Sequence, residues 1–185
     1  MLKMLKMLQT LRTLLVVLVF AASAAAQNPF DTQGNILKKE AAALQTAVDS
    51  LINSIVPGGL LLEPSKVVYL DGYGMVVTLK VALATPRGPF NAVTSPADVK
   101  KVSGQRLNDI RDKLLELLKQ QTAAVESVRP AESISIAVFI MNTNPADLPG
   151  LPSHVVFSIK KQDAVDFGSR KIADLASRIT VREFP

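Results

Sequence analysis

Residues 66–83 read KVVYLDGYGMVVTLKVAL, and this stretch decides the fold. From Met75 onward, apolar residues alternate with a second set of residues, which is the pattern of a β-strand with one buried face. The dipeptide Asp71-Gly72 in the middle of the stretch readily supplies the positive φ of a tight hairpin. A single long strand with a glycine bulge accounts for the same residues equally well. Both alternatives predict a sheet with one buried face.

Two long helices are predicted on either side of this stretch. Apolar residues recur at alternating spacings of four and three from Asn35, which indicates an amphipathic helix that ends before Pro57. The sequence Ser95-Pro96-Ala97-Asp98 combines a capping serine, a proline suited to the first turn and an aspartate that complements the helix dipole. It predicts the start of a second helix, which runs to about Val128.

The second half of the chain supplies the remaining strands. Residues 133–141 are rich in β-branched side chains and apolar on both faces, as in a central strand. Residues 154–160 predict another strand. Residues 162–177 are typical of one or two short helices, and residues 179–184 form a terminal strand or an ordered tail.

These elements predict the α+β class. Residues 35–185 are expected to form a single α+β domain, whose mainly antiparallel sheet is built from residues 66–83, 133–141 and 154–160. The two long helices are expected to pack on one face of that sheet. We favour the sheet over a second copy as the partner of the first helix, because its pattern lasts only about two and a half heptads.

The first 26 residues are typical of an export signal. A basic leader precedes an apolar core over residues 14–22, and Ala24-Ala25-Ala26 supplies small residues before Gln27. We predict cleavage between Ala26 and Gln27, with residues 27–34 as a flexible mature N-terminus. The apolar run is shorter than the ~20 residues of a membrane span. An uncleaved leader that tethers the domain at the inner membrane is the alternative.

Removing the leader changes what the composition implies. The full chain has 21 basic and 16 acidic residues, whereas residues 27–185 have 18 and 16, a net charge of +2. Nucleic-acid binding requires a dense basic patch, so we predict no nucleic-acid partner. The chain has no cysteine, so neither disulfides nor a cysteine-linked lipid stabilise or anchor it. After cleavage we expect no stable membrane insertion.

The sequence offers few candidates for chemistry. His154 is the only histidine, and without cysteine or a second histidine it predicts a strand-start surface residue rather than a catalytic base. Asp71 and Tyr73 are candidate recognition residues, because Tyr73 lies between two glycines and could stand clear of the backbone. Tyrosine beside glycines also covers the gap they leave in a sheet. Leu148 and Leu151, on a proline-stiffened loop, are either a partner-binding tip or a lid on the core.

The segment Tyr69-Leu70-Asp71-Gly72-Tyr73-Gly74 resembles one shared by a group of uncharacterised exported bacterial proteins. The similarity extends to the second long helix, to residues 133–141 and to the closing Ile179-Thr180-Val181-Arg182-Glu183-Phe184. That group has no established activity. The resemblance therefore implies bacterial export and a shared architecture, and it assigns no catalytic residue.

We therefore expect a non-enzymatic binding or structural protein of the cell envelope or periplasm. Its partner would be an envelope protein or another envelope component, and we predict no cofactor, no metal site and no catalytic residue. The alternative is a hydrolase that uses Asp or Glu, such as Asp71 with Tyr73 nearby, on cell-wall or glycan material.

Overall fold

The computed structural model describes residues 29–55, 60–83, 96–141 and 150–185. Residues 37–185 form one compact unit; of the other unit, residues 1–36, only the last eight are described. The predicted leader, its cleavage site between Ala26 and Gln27, and Leu148 lie outside the described residues. Within the described ranges, no helix is both long enough and apolar enough to cross a membrane.

The part of the chain that the structure describes contains two long helices, as the sequence predicts. Helix α1 spans Pro29–Ile55 and helix α2 spans Pro96–Gln121. Residues 29–34, which we expected to be a flexible segment, are helical. The apolar periodicity of the sequence did not reveal them, because it marks only the turns of a helix that have a buried face. Proline is tolerated in the first turn of a helix. Helix α2 ends at Gln121 rather than near Val128, and a 3₁₀ turn, Thr122–Ala124, follows it.

Within the described residues, five strands form one mixed sheet in the order β1-β2-β3-β4-β5. The strands are β1 (Lys66–Leu70), β2 (Gly74–Val81), β3 (Ser133–Ile140), β4 (His154–Lys160) and β5 (Thr180–Phe184). The α+β class is confirmed, but the central pair β2–β3 is parallel whereas the other three pairs are antiparallel. Helix α2 connects β2 to β3, and such a long crossover is what allows two successive strands to run in parallel.

One face of the sheet and both long helices share a single hydrophobic core. Alternate residues of the central strands point into it, so that Val77 lies beside Ile136 and Ile136 beside Phe157. Helix α1 contributes Val48 and helix α2 contributes Ile110, both fully buried. This arrangement confirms that the helices pack on one face.

A buried lysine connects the 3₁₀ turn that follows α2 to the short helix α3, Lys161–Gly168. The Lys161 ammonium donates to the carbonyl oxygens of Thr122, Ala123 and Val125 at 3.0, 2.7 and 2.7 Å, which uses all three of its protons. Burial lowers the pKa of Lys161, whereas the nearby charges of Glu40 and Glu126 oppose that shift. The carbonyl oxygens of the 3₁₀ turn that follows α2 are therefore satisfied from a distant part of the chain.

Glu40 connects α1 to the segment just after this 3₁₀ turn. Its carboxylate accepts hydrogen bonds from the backbone N–H groups of Glu126 and Ser127 at 2.6 and 2.9 Å, and from the Ser127 hydroxyl. Burial raises the pKa of Glu40, but the bonds from Ser127 and Glu126 outweigh it and the net shift is downward. Polar contacts thus complement the apolar packing of the helices.

Residues 71–73 form a hairpin turn, which decides between the two alternatives for residues 66–83. The Tyr73 N–H donates to the Leu70 carbonyl oxygen at 3.0 Å, and Gly72 has φ +77°. Gly74, with φ +116°, begins β2 against the Ser133 backbone. A Cβ atom at Gly74 would lie 2.0 Å from the Ser133 carbonyl oxygen, so only glycine fits there.

We predict that Gly74→Ala destabilises the protein by about 2 kcal/mol or more, because both the φ angle and the contact with Ser133 exclude a side chain. Urea unfolding followed by circular dichroism measures the change. The control is Gly104→Ala in α2, where a Cβ atom meets no neighbour within 4 Å and the residue is helical. That variant should be more stable by up to about 1 kcal/mol. Equal stability of Gly74→Ala and the wild type would refute the close approach.

Candidate functional site

The second face of the sheet is exposed or half-buried at most of its outward positions. The strand register aligns these outward side chains in four rows across the sheet, and we call them together the open face. By row they are Lys80, Phe139, His154 and Phe184; Lys66, Thr78, Ala137, Val156 and Arg182; Val68, Val76, Ser135, Ser158 and Thr180; and Leu70, Gly74, Ser133 and Lys160.

The first row contains a stack of three rings from three neighbouring strands. The ring centroids of Phe139 and His154 are 5.5 Å apart, and those of His154 and Phe184 are 4.3 Å apart with the planes only 7° from parallel. Ser153 Oγ lies 2.9 Å from His154 Nδ1. The histidine is therefore half-buried between two phenylalanines, and the stack adds a rigid apolar ridge to the open face.

Hydroxyl groups occupy the middle of the open face. Tyr73 Oη lies 3.1 Å from Ser135 Oγ, which in turn lies 2.8 Å from Ser158 Oγ. Ser135 is only 1% exposed although it points outward, because the Tyr73 ring folds over this part of the sheet beside Gly74. Tyr73 thus lies against the sheet with its hydroxyl on Ser135. Its own ring remains half-exposed.

The charges on the open face are all positive. Its outward positions include Lys66, Lys80, Lys160 and Arg182 and not one carboxylate. Glu63, beside the sheet, pairs with Lys80 at 3.0 Å and more weakly with Lys66 at 3.9 Å. The hydrogen bond from Lys80 and the two lysine charges lower the pKa of Glu63. Among the described residues, Lys160 and Arg182 have no carboxylate partner.

A buried carboxylate lies at the hairpin end of the sheet, just before β3. Glu132 is 3% exposed and accepts hydrogen bonds from the Tyr69 hydroxyl at 3.0 Å, from the Gly72 N–H at 3.2 Å and from the Arg129 N–H at 2.9 Å. Arg129 Nε approaches the same carboxylate at 2.9 Å. The Arg129 guanidinium also pairs with Asp71. Glu132 therefore joins the hairpin turn to the segment that leads into β3.

The surroundings of Glu132 are those of a structural carboxylate and not of a catalytic acid. Burial raises the pKa of Glu132, but the Arg129 backbone bond, the Tyr69 hydroxyl, the Arg129 charge and the Gly72 N–H together lower that pKa below its ordinary value. A general acid needs a raised pKa and a proton to give. Glu132 instead stays ionised, with both oxygens occupied by donors.

The structure separates the residues that the sequence analysis singled out. Asp71 is 86% exposed and its carboxylate pairs with Arg129, whereas the Tyr73 hydroxyl bonds Ser135 on the open face. Leu151 is half-buried and packs against the hydrophobic core, and Leu148 is outside the described residues. Of the candidates, Tyr73 contacts the open face, through Ser135.

Sequence reasoning missed the residues that give the open face its character. The sequence pattern places Phe139 on one face of a central strand, predicts a surface position for His154 and puts Phe184 in a terminal strand or tail. Each lies on a different strand, so no local motif joins them. Strand order and register bring them together, and these depend on contacts between distant segments.

Comparison of the chain with protein-family models, with curated protein sequences and with solved structures gave no match.

We predict that Glu132→Gln lowers the free energy of unfolding at pH 7 by about 2 to 4 kcal/mol, since an amide cannot accept from every donor of the cluster. The pKa of Glu132 is lowered in the folded state. Its contribution to the free energy of unfolding is therefore present above its unfolded-state pKa of about 4.3, and is lost as the pH falls through its folded-state pKa. The difference between variant and wild type should therefore shrink below about pH 4.

The control for Glu132→Gln is Asp71→Asn, which makes the same chemical change at an exposed carboxylate of the same cluster. It should change stability by less than about 1 kcal/mol at any pH, because exposed ion pairs contribute little. Denaturant unfolding at several pH values measures both variants. A Glu132→Gln difference that stays constant between pH 3 and pH 7 would contradict the assigned role.

Proposed function

We propose that this is an exported, non-enzymatic binding protein of the cell envelope or periplasm, and that it binds its partner through the open face. The observation that carries the proposal is a sheet face opposite the helices that combines exposed apolar and aromatic side chains with hydroxyl groups and four cations. Val68, Leu70, Phe139 and Phe184 are all among the exposed large apolar side chains. Exposed aromatic side chains beside polar groups are typical of interaction sites.

The geometry favours binding over the hydrolase alternative. Hydrolysis by carboxylates needs an acid and a base that face one substrate. Asp71 and Glu132 both contact Arg129, and Glu132 is closed in by its hydrogen-bond donors. The Tyr73 hydroxyl is directed to Ser135 instead of Asp71. These contacts support a structural role for the Glu132 cluster, in which it fixes the hairpin turn at one end of the open face.

Export is the second part of the proposal, and it is carried by the pattern of residues 1–26. We predict that mass spectrometry of the protein purified from a bacterial envelope finds an N-terminus at Gln27, because Ala24-Ala25-Ala26 presents the small residues that a signal peptidase needs. Replacing Ala24 and Ala26 with bulky residues should block processing. A wild-type chain that begins at Met1 would refute cleavage and favour the tethered alternative.

We predict that a photoreactive phenylalanine analogue at position 139 or 184 forms crosslinks to an envelope component in intact cells, because both rings lie on the open face. The matched control is position 167 in α3: Phe167 is 39% exposed, close to the 37% of Phe184, and lies on a helix instead of a strand of the sheet. Crosslinked products are separated by electrophoresis and identified by mass spectrometry. Crosslinking of equal yield at position 167, or none at 139 and 184, would count against the proposal.

A further inference from the structure

The hairpin turn contains a dipeptide that is prone to spontaneous covalent rearrangement. Asp71-Gly72 is the only Asp-Gly in the sequence, which has no Asn-Gly. Glycine has no Cβ atom, so its backbone nitrogen can approach the side chain of the preceding residue with little hindrance. The Asp71 side chain is 86% exposed, so water reaches it. The turn is therefore a point of chemical vulnerability in the sheet.

The rearrangement consists of a ring closure followed by a ring opening. The Gly72 nitrogen forms a bond to Asp71 Cγ, and the amide proton and the carboxyl OH group leave together as water. Water then adds to one of the two carbonyl carbons of the succinimide ring, and the bond from that carbon to the Gly72 nitrogen breaks. Opening at the backbone carbonyl carbon of Asp71 leaves Gly72 attached through Cγ, which is an isoaspartate linkage. Neither an oxidant nor a cofactor takes part.

Ring closure requires a Gly72 nitrogen that can lose its proton. In the folded protein the Gly72 N–H donates to Glu132 Oε1 at 3.2 Å, and Glu132 is only 3% exposed. A negative charge on the Gly72 nitrogen would lie beside this carboxylate and be repelled by it. Burial raises the pKa of Glu132, but its hydrogen-bond donors lower it overall, so the carboxylate is a poor base for the same proton. The contact with Glu132 therefore opposes the first step.

The Asp71 carboxylate, which supplies the carbon that is attacked, has a partner of its own. It pairs with the Arg129 guanidinium, whose Nε also lies 2.9 Å from the Glu132 carboxylate. The turn is closed by the hydrogen bond from the Tyr73 N–H to the Leu70 carbonyl oxygen at 3.0 Å. Exposed ion pairs contribute little, so the buried Glu132 supplies the larger share of the protection.

We propose that Asp71-Gly72 is a latent isoaspartate site, and that Glu132 suppresses its rearrangement in the folded protein by holding the Gly72 N–H. Neither the reaction nor its suppression depends on the proposed binding through the open face. Isoaspartate would insert the Asp71 Cβ atom into the main chain and lengthen the turn just before Gly74, where β2 meets Ser133. Protection of the turn therefore preserves the strand pairing at this end of the sheet.

The experiment measures how fast isoaspartate forms at position 71 while the purified protein is incubated at neutral pH. Proteolytic digestion, liquid chromatography and electron-transfer fragmentation distinguish isoaspartate from aspartate in the resulting peptides. The unfolded reference is a synthetic peptide of residues 66–76. We expect the rate in the protein to be at least about tenfold lower than in the peptide, because modification of a protected site follows the population of its open form.

Variants of the protein test the role of Glu132. Glu132→Ala removes the acceptor of the Gly72 N–H and should speed isoaspartate formation about tenfold. Glu132→Gln keeps one acceptor oxygen without the charge; it should speed the reaction about threefold, and it keeps the test decisive if the alanine variant does not fold. The control is Ile110→Ala, which leaves a cavity at a fully buried position of α2 and weakens the whole fold. Its rate should change less than about twofold, because the Gly72 N–H keeps its acceptor.

Three outcomes would overturn the inference. Equal rates in the folded protein and in the peptide would mean that the turn is not protected. An unchanged rate in both Glu132 variants would remove Glu132 from the protection. Equal acceleration by Ile110→Ala and Glu132→Ala would place the reaction in the globally unfolded chain instead of a locally opened turn.

Discussion

The contact between Gly74 and the backbone of Ser133 is the constraint on which the rest of the structure depends. It begins the parallel pairing of β2 with β3, and the Ser133 N–H donates to the Tyr73 carbonyl oxygen at 2.8 Å beside it. Because a side chain at Gly74 has no room, the two strands approach closely at this point. Glu132, one residue before β3, then lies within reach of the hairpin turn and joins it to Arg129 and Tyr69.

The same pairing decides which side chains face the helices and which form the open face. Side chains alternate along a strand, so a shift of β3 by one residue would exchange its two sets. With the observed register, Ile134 and Ile136 enter the core while Ser135 and Ala137 point to the open face. The apolar core and the proposed binding surface are consequently two results of one alignment. The buried tie at Glu132 stabilises the end of the sheet where that alignment begins.

Much of the fold was predictable because its signals are local. Strand β4 was predicted at its observed bounds, and the capping residues around Pro96 marked the start of α2. The parallel pair was missed because strand direction depends on the route of the connection, which periodicity does not encode. Glu132 was missed for a similar reason: Ala131-Glu132-Ser133 is an unremarkable sequence, and its donors Tyr69 and Gly72 are about sixty residues away.

By itself, the sequence determined the helices and strands, the apolar face of each and the hairpin glycines. It also contains the residue pattern from which we infer export. These features follow from composition and from spacing along a few turns or strands. The tertiary structure alone decided that Phe139, His154 and Phe184 stack, and that four cations flank one central strand. Those features exist only after strands distant in the chain are placed side by side in one register. The register is set by the requirement that all strands bury their apolar faces together and by the turns and close approaches that join them, and side-chain spacing along any single strand does not reveal it.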